Sequence, residues 1–174
     1  MARKEDGSHR NAPAMGWALL LLRLFVGGMF LQSGITRWHW LGTDEMKRIL
    51  NSWTGGDTPA AFSTYVPFLT NYIIPHAPVF TYLVVFGELI VGVLLVLGFA
   101  TRLAAVPALL LSINFLLASW NKGYEWQGIN EAFIAIELTV LLAGAGRFGG
   151  VDVALARKSH FYGCHFERKL NIPT

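Results

Sequence analysis

Four polar residues stand inside otherwise apolar runs of this chain, and their types are the ones that could do chemistry: Arg23, Glu88, Asn114 and Glu137. At about 1.5 Å of rise per helical residue, counted from the ends of the runs that share one side, Arg23 lies ~12 Å in, Glu88 and Glu137 ~15 Å, and Asn114 ~16 Å. Half of a hydrocarbon core ~30 Å thick is ~15 Å, so the four converge on one depth. A charge at that depth costs at least ~2.5–3.5 kcal/mol on insertion scales. The four should therefore face inward and pair. Arg23 is the cation of the set, and one guanidinium cannot neutralise two carboxylates, so one acid needs a proton or a further partner. Three roles stay open for this layer: a fixed Arg–Glu–Asn network that orders the helices, a ligand or quinone site, and a proton path. No catalytic residue is assigned.

The elements that must carry these residues are membrane spans. The chain has 174 residues, 53% hydrophobic and 14% charged, with a mean hydropathy of +0.45. Soluble domains are about 25% charged. A span needs about 20 apolar residues, and four runs approach that length: Met15 to Ile35, Pro78 to Gly98, Leu103 to Trp120 and Ile129 to Gly146. The first run exceeds the ~7–15 residues of a signal-peptide core, so it reads as a retained span. The expected fold is an all-α integral membrane protein, an antiparallel four-helix bundle, rather than a soluble enzyme. Residues 1–14 and 148–174 form basic tails around the 15–147 membrane domain. Spans two and three make a tight hairpin, with Pro107 near the start of span three, where proline is tolerated best. A long loop, 36–77, joins spans one and two. In it Thr43 to Leu50 predicts a short interfacial helix over about 44–53, Gly55 to Pro59 a turn, and Tyr65 to Ile74 a segment too short to span.

Charge sets the orientation. Arg3, Lys4, Arg10, Arg102, Arg147, Arg157, Lys158, Arg168 and Lys169 fall on one side, and Arg37, Lys47, Arg48 and Lys122 on the other. The richer side is cytoplasmic, so both termini are expected there. The pI of about 9.2 then reflects topology, and nucleic acid is not an expected partner. Trp38, Trp40, Trp53, Trp120 and Trp126 sit on the outer side, as an aromatic belt would; ligand stacking is the competing reading. Cys164 is the single cysteine, so no internal disulfide, two-Cys redox motif or iron–sulfur ligand set exists. No histidine falls mid-span, and no span carries Glu-x-x-His, which argues against buried haem and a di-iron bundle. No metal ligand set is expected. The tail from His160 through Cys164 to His165 lacks the second cysteine of a haem-attachment motif. Glu131, near the outer end of span four, reads as interfacial.

The run Leu22-Arg23-Leu24-Phe25-Val26-Gly27-Gly28-Met29-Phe30-Leu31-Gln32-Ser33-Gly34 resembles the first span of the DoxX/DoxD-like membrane proteins. Phe86 to Gly92 and Leu97 to Arg102 are similar to that family's second span and turn, Asn114 to Ala118 to its third, and Leu142 to Asp152 to the end of its fourth. The resemblance covers Leu20 to Ala156. It implies a four-helix membrane bundle in a prokaryotic inner membrane. It also implies a link to quinone or sulfur redox chemistry, since the DoxD branch is associated with thiosulfate oxidation coupled to quinone reduction alongside a partner subunit. The motif positions it carries over are Arg23, Glu88, Asn114, Gly146 and Asp152.

Three functions follow in order. The first is an accessory or scaffolding subunit of a larger membrane redox complex, because the chain shows no electron-carrying motif of its own. The second is a quinone-reducing subunit, which as an enzyme would be a quinone-linked oxidoreductase. The third is a small transporter. No intrinsic cofactor is expected, quinone aside, and the partners are the bilayer and other membrane subunits.

Overall fold

The computed structural model describes residues 12–145 and 150–152. In its long helices the soluble pattern is inverted. Leu21, Leu103, Leu110 and Leu142 are 62–76% exposed, whereas Arg23, Glu88 and Glu137 are each 1% exposed. Apolar side chains turned out and charges turned in suit a lipid surround, where burying leucine against leucine gains nothing over lipid and small or polar residues hold helices together.

Every described element is helical. The order is α1 (Ala12–Thr36), a 3-10 turn (Arg37–Trp40), α2 (Glu45–Thr54), α3 (Val66–Phe68), α4 (Ala77–Leu97), α5 (Thr101–Ala118) and α6 (Tyr124–Ala143). Among the described residues three stretches are long and apolar enough to cross a membrane: Ala14–Trp40, Val66–Leu97 and Thr101–Ala118. Helix α6 is not one of them, because Gln127, Asn130, Glu131 and Glu137 dilute its apolar run.

The segment expected to be a long loop is mostly folded. Helix α3 passes through a π-turn (Leu69–Ile73) and a 3-10 turn (Ile74–His76) straight into α4. Pro75 and Pro78 lie at this join. Proline has no N–H to donate and its ring crowds the preceding turn, and the local change of helical winding absorbs this without ending the helix. Pro107 likewise lies inside α5 rather than in its first turn. It is on the exposed side of the helix. Leu50, Ala61, Leu69, Ile73 and Ala118 form a second core that caps one end of the long helices. Backbone bonds from Phe62 to the Leu117 carbonyl (2.8 Å) and from Asn121 to the Ala60 carbonyl (2.7 Å) tie this cap to the C-terminal end of α5, giving a partner to one of the carbonyls a helix end leaves unpaired.

Helix α1 packs on α4 and α6, and α5 on the same two. The α1–α4 seam is the closest. A Cβ placed on Gly92 would lie 2.7 Å from the Leu31 backbone nitrogen and 2.9 Å from the Gly27 carbonyl oxygen. Small residues on both helices let the backbones approach. We expect Gly92→Ala to lower stability by about 1–3 kcal/mol, as overpacking does. Gly28 has nothing within 4 Å of its would-be Cβ. Gly28→Ala should raise stability by about 0.5–1 kcal/mol through helix propensity. Thermal melts of the detergent-solubilised variants check this pair, and equal shifts would refute the close-approach account.

Residues 1–11, 146–149 and 153–174 lie outside the described set. With them go most of the basic tails, Gly146, Arg147 and the His160–Cys164–His165 segment.

Candidate functional site

The inward-facing charges do not form one layer. They fall into separate groups with separate partners.

At one end, Arg23 on α1 donates from Nη1 to the Ala145 carbonyl (3.2 Å) just past α6. Asp152 lies close enough to act on its guanidinium electrostatically. Asp152 also holds the α4–α5 turn: its carboxylate accepts from the Ala100 N–H (2.8 Å), the Thr101 N–H (3.2 Å) and the Thr101 hydroxyl (3.1 Å). These bonds hold Ala100 at φ +47°, a left-handed conformation that costs a residue with a Cβ roughly 1–2 kcal/mol. The turn before it closes when Gly98 N–H bonds Leu95 O and Phe99 N–H bonds Leu94 O, the Schellman pattern of helix C-termini. Arg23 and Asp152, both picked out in the sequence, thus tie three helix ends together.

Near the middle of α4, Glu88 pairs with Arg37, not with Arg23. Arg37 donates to Glu88 Oε1 and to Ser33 Oγ, and Ser33 Oγ donates to Glu88 Oε1 at 3.1 Å. The Arg37 guanidinium also lies over the Phe115 ring (4.8 Å to its centroid) and near Trp40 (5.3 Å). Sequence reading had counted Arg37 as an outer-surface charge. The available signal was Ser33–Arg37 at i,i+4 on the helix stripe that also carries Phe30, since residues so spaced share a face. Arginine's long stem then lets the charge reach back inward. Glu137 on α6 has a separate partner, Ser112 on α5, whose hydroxyl donates to Oε1 at 2.7 Å.

Asn114 is exposed and belongs to neither group. The buried positions of α5 run Thr101, Ala104, Ala105, Ala108 and Ser112. Two residues beyond Ser112 is a rotation of about 200°, so Asn114 turns to the opposite face although its depth matches. Glu131 is exposed as well.

Ser33, Arg37 and Glu88 form one wall of a cavity of about 170 Å³, with the Ser112 and Ser119 side chains on another. Phe115, Phe133, Trp53 and Trp126 supply aromatic surface. Met29 and Ile129, 38% and 56% exposed on α1 and α6, line it too, so it opens sideways between those helices. Lys122 sits over Trp53 (4.0 Å) and Trp126 (4.9 Å). Burial between the indoles pushes its ammonium below the ordinary lysine value. The five outer tryptophans therefore differ in role. Trp53 and Trp126 wall the cavity, Trp40 lies beside Arg37, and Trp38 and Trp120 meet Phe86 and Phe62 edge-on. Among the described residues no group of His, Cys, Asp and Glu is arranged to hold a metal ion.

The fold and this site define a multi-pass helical membrane protein with a polar, aromatic-walled cleft. Residues 18–171 match the family described as DoxD, the TQO small subunit, and the chain belongs to that family. No solved structure matches it.

Proposed function

We propose that this chain is the membrane subunit of a thiosulfate:quinone oxidoreductase-type complex, and that its cavity holds the quinone ring. Helix α6 crosses the membrane with the other three, which gives a four-helix bundle with both termini in the cytoplasm and the cavity in its outer half. The lateral opening carries the proposal: a ring with two carbonyl acceptors on a lipid tail needs donors inside and an exit to the bilayer. Arg37, bonded to Glu88 and Ser33 through Nη1 alone, keeps further guanidinium N–H groups of that kind, and the aromatic residues offer stacking surface. Drug-sized ligands occupy about 300–1,000 Å³, so a cavity of about 170 Å³ suits one ring, with the tail left between α1 and α6. Electrons reach the ring from the partner subunit that oxidises the sulfur substrate.

Trp53 and Trp126 make this testable by fluorescence. A short-chain quinone should quench the emission of the solubilised protein saturably, and Ser119→Leu, which fills the cavity, should weaken the response at least tenfold. Quenching that is linear in quinone, or unchanged in the variant, contradicts the proposal and leaves a purely scaffolding subunit.

A further inference from the structure

We propose that Glu137, acting through the Ser112 hydroxyl, supplies one of the two protons a quinone takes up in this cavity; the inference rests on the quinone reading above. Glu137 is 1% exposed and does not itself line the cavity, but Ser112 does. The Ser112 hydroxyl therefore stands between a buried acid and the space where a ring would sit.

The two buried acids of this region have unlike surroundings. Glu88 Oε1 is engaged by a cation and a hydroxyl. Glu137 has only the neutral Ser112 hydroxyl on Oε1, and among the described residues the Oε2 of each acid has no hydrogen-bond partner. The contrast between the acids lies at Oε1, where a cation holds Glu88 and a neutral hydroxyl alone meets Glu137. Titratable groups placed in contrasting environments take contrasting parts in acid–base chemistry. Glu88 then anchors Arg37 as a fixed charge, and Glu137 exchanges a proton.

When bound, the quinone supplies an acceptor for two electrons and two protons, its two C=O groups becoming C–OH. The electrons come from the sulfur anion oxidised by the complex. Glu137 releases its proton to Ser112 Oγ as Ser112 passes its own hydrogen to the nearer carbonyl oxygen. Ser112 ends neutral and Glu137 ends ionised. The observed bond, with Ser112 donating to Oε1, is the arrangement left after delivery, and rotation of the hydroxyl, which both donates and accepts, gives the one before it. Water at the cavity mouth provides the second proton and later reloads Glu137.

The test uses the intact complex with a short-chain quinone and two readouts. Tryptophan quenching reports binding. Infrared difference spectra between the oxidised and reduced states report carboxyl protonation. Wild type should show a carboxyl C=O change that vanishes in Glu137→Gln and in Ser112→Ala and returns in Ser112→Thr, while Glu137→Gln binds quinone within a few fold of wild type. Quinol formation should fall by roughly 10²–10⁴ in Glu137→Gln, the range for loss of a general acid. Binding with an unchanged carboxyl signal in Glu137→Gln, or with the signal intact in Ser112→Ala, overturns the relay and leaves the quinone site standing. Absence of binding in wild type overturns both.

Discussion

Replacing Arg37 by methionine should lower the stability of the solubilised protein by about 3–5 kcal/mol, the range for stranding one member of a buried ion pair. Glu88 is 1% exposed and Arg37 is the charge that faces it. Without the guanidinium the carboxylate keeps Ser33 alone. The double variant Arg37→Met/Glu88→Met removes both charges at similar volume and should recover most of the loss, because apolar replacement of an entire buried pair is commonly neutral or better. Chemical unfolding of the single and double variants measures this. A double variant as unstable as the single one would assign the loss to the Arg37 contacts with Phe115 and Trp40 instead. Quinone binding should stay lost in both, which separates the fold from the site.

The second large effect is expected at Gly98. Its φ of +66° is one that side chains rarely adopt, worth roughly 1–2 kcal/mol against any residue with a Cβ. The added Cβ would also lie 2.5 Å from Arg23 Nη1 and 2.7 Å from the Gly150 Cα. Overpacking of this kind costs about 1–3 kcal/mol. Gly98→Ala should therefore destabilise by several kcal/mol, through backbone strain and through displacement of Arg23 from the Ala145 carbonyl. Melting temperatures of Gly98→Ala beside Gly28→Ala check it, and a Gly98→Ala shift as small as the control would mean that the turn relaxes freely.

What the sequence revealed and concealed follows from geometry. Counting residues along a run measures depth, and depth points to Arg23, Glu88 and Glu137, each of which is 1% exposed. Depth carries no rotation. Asn114 sits at the same level but on the opposite face of α5 from Ser112, which could be told only once the buried stripe of that helix was known. Depth also places Cα atoms, not charges. The Arg23 stem carries its guanidinium to Ala145 at one helix end, while the Arg37 stem brings its guanidinium inward to Glu88. Ser33, Ser112 and Ser119 escaped notice because a serine in an apolar helix looks unremarkable until a carboxylate or a cavity lies beside it. The helical run from Val66 into α4 was hidden by Pro75 and Pro78, which signal a break in sequence but are bridged here by a change in winding. Two of the motifs that carry the family resemblance, Leu97 to Arg102 and Leu142 to Asp152, lie at helix ends, where Asp152 and Gly98 have definite structural tasks.

The central claim is that a quinone ring occupies the cavity between α1 and α6. Photolabelling tests it most directly, using the intact complex and a short-chain azidoquinone with the labelled peptides mapped by mass spectrometry. Label is expected within 29–37 and 126–133, displaced by unlabelled quinone and lost in Ser119→Leu. Label confined to the partner subunit, or spread over the lipid-facing surface and not displaced, would contradict it.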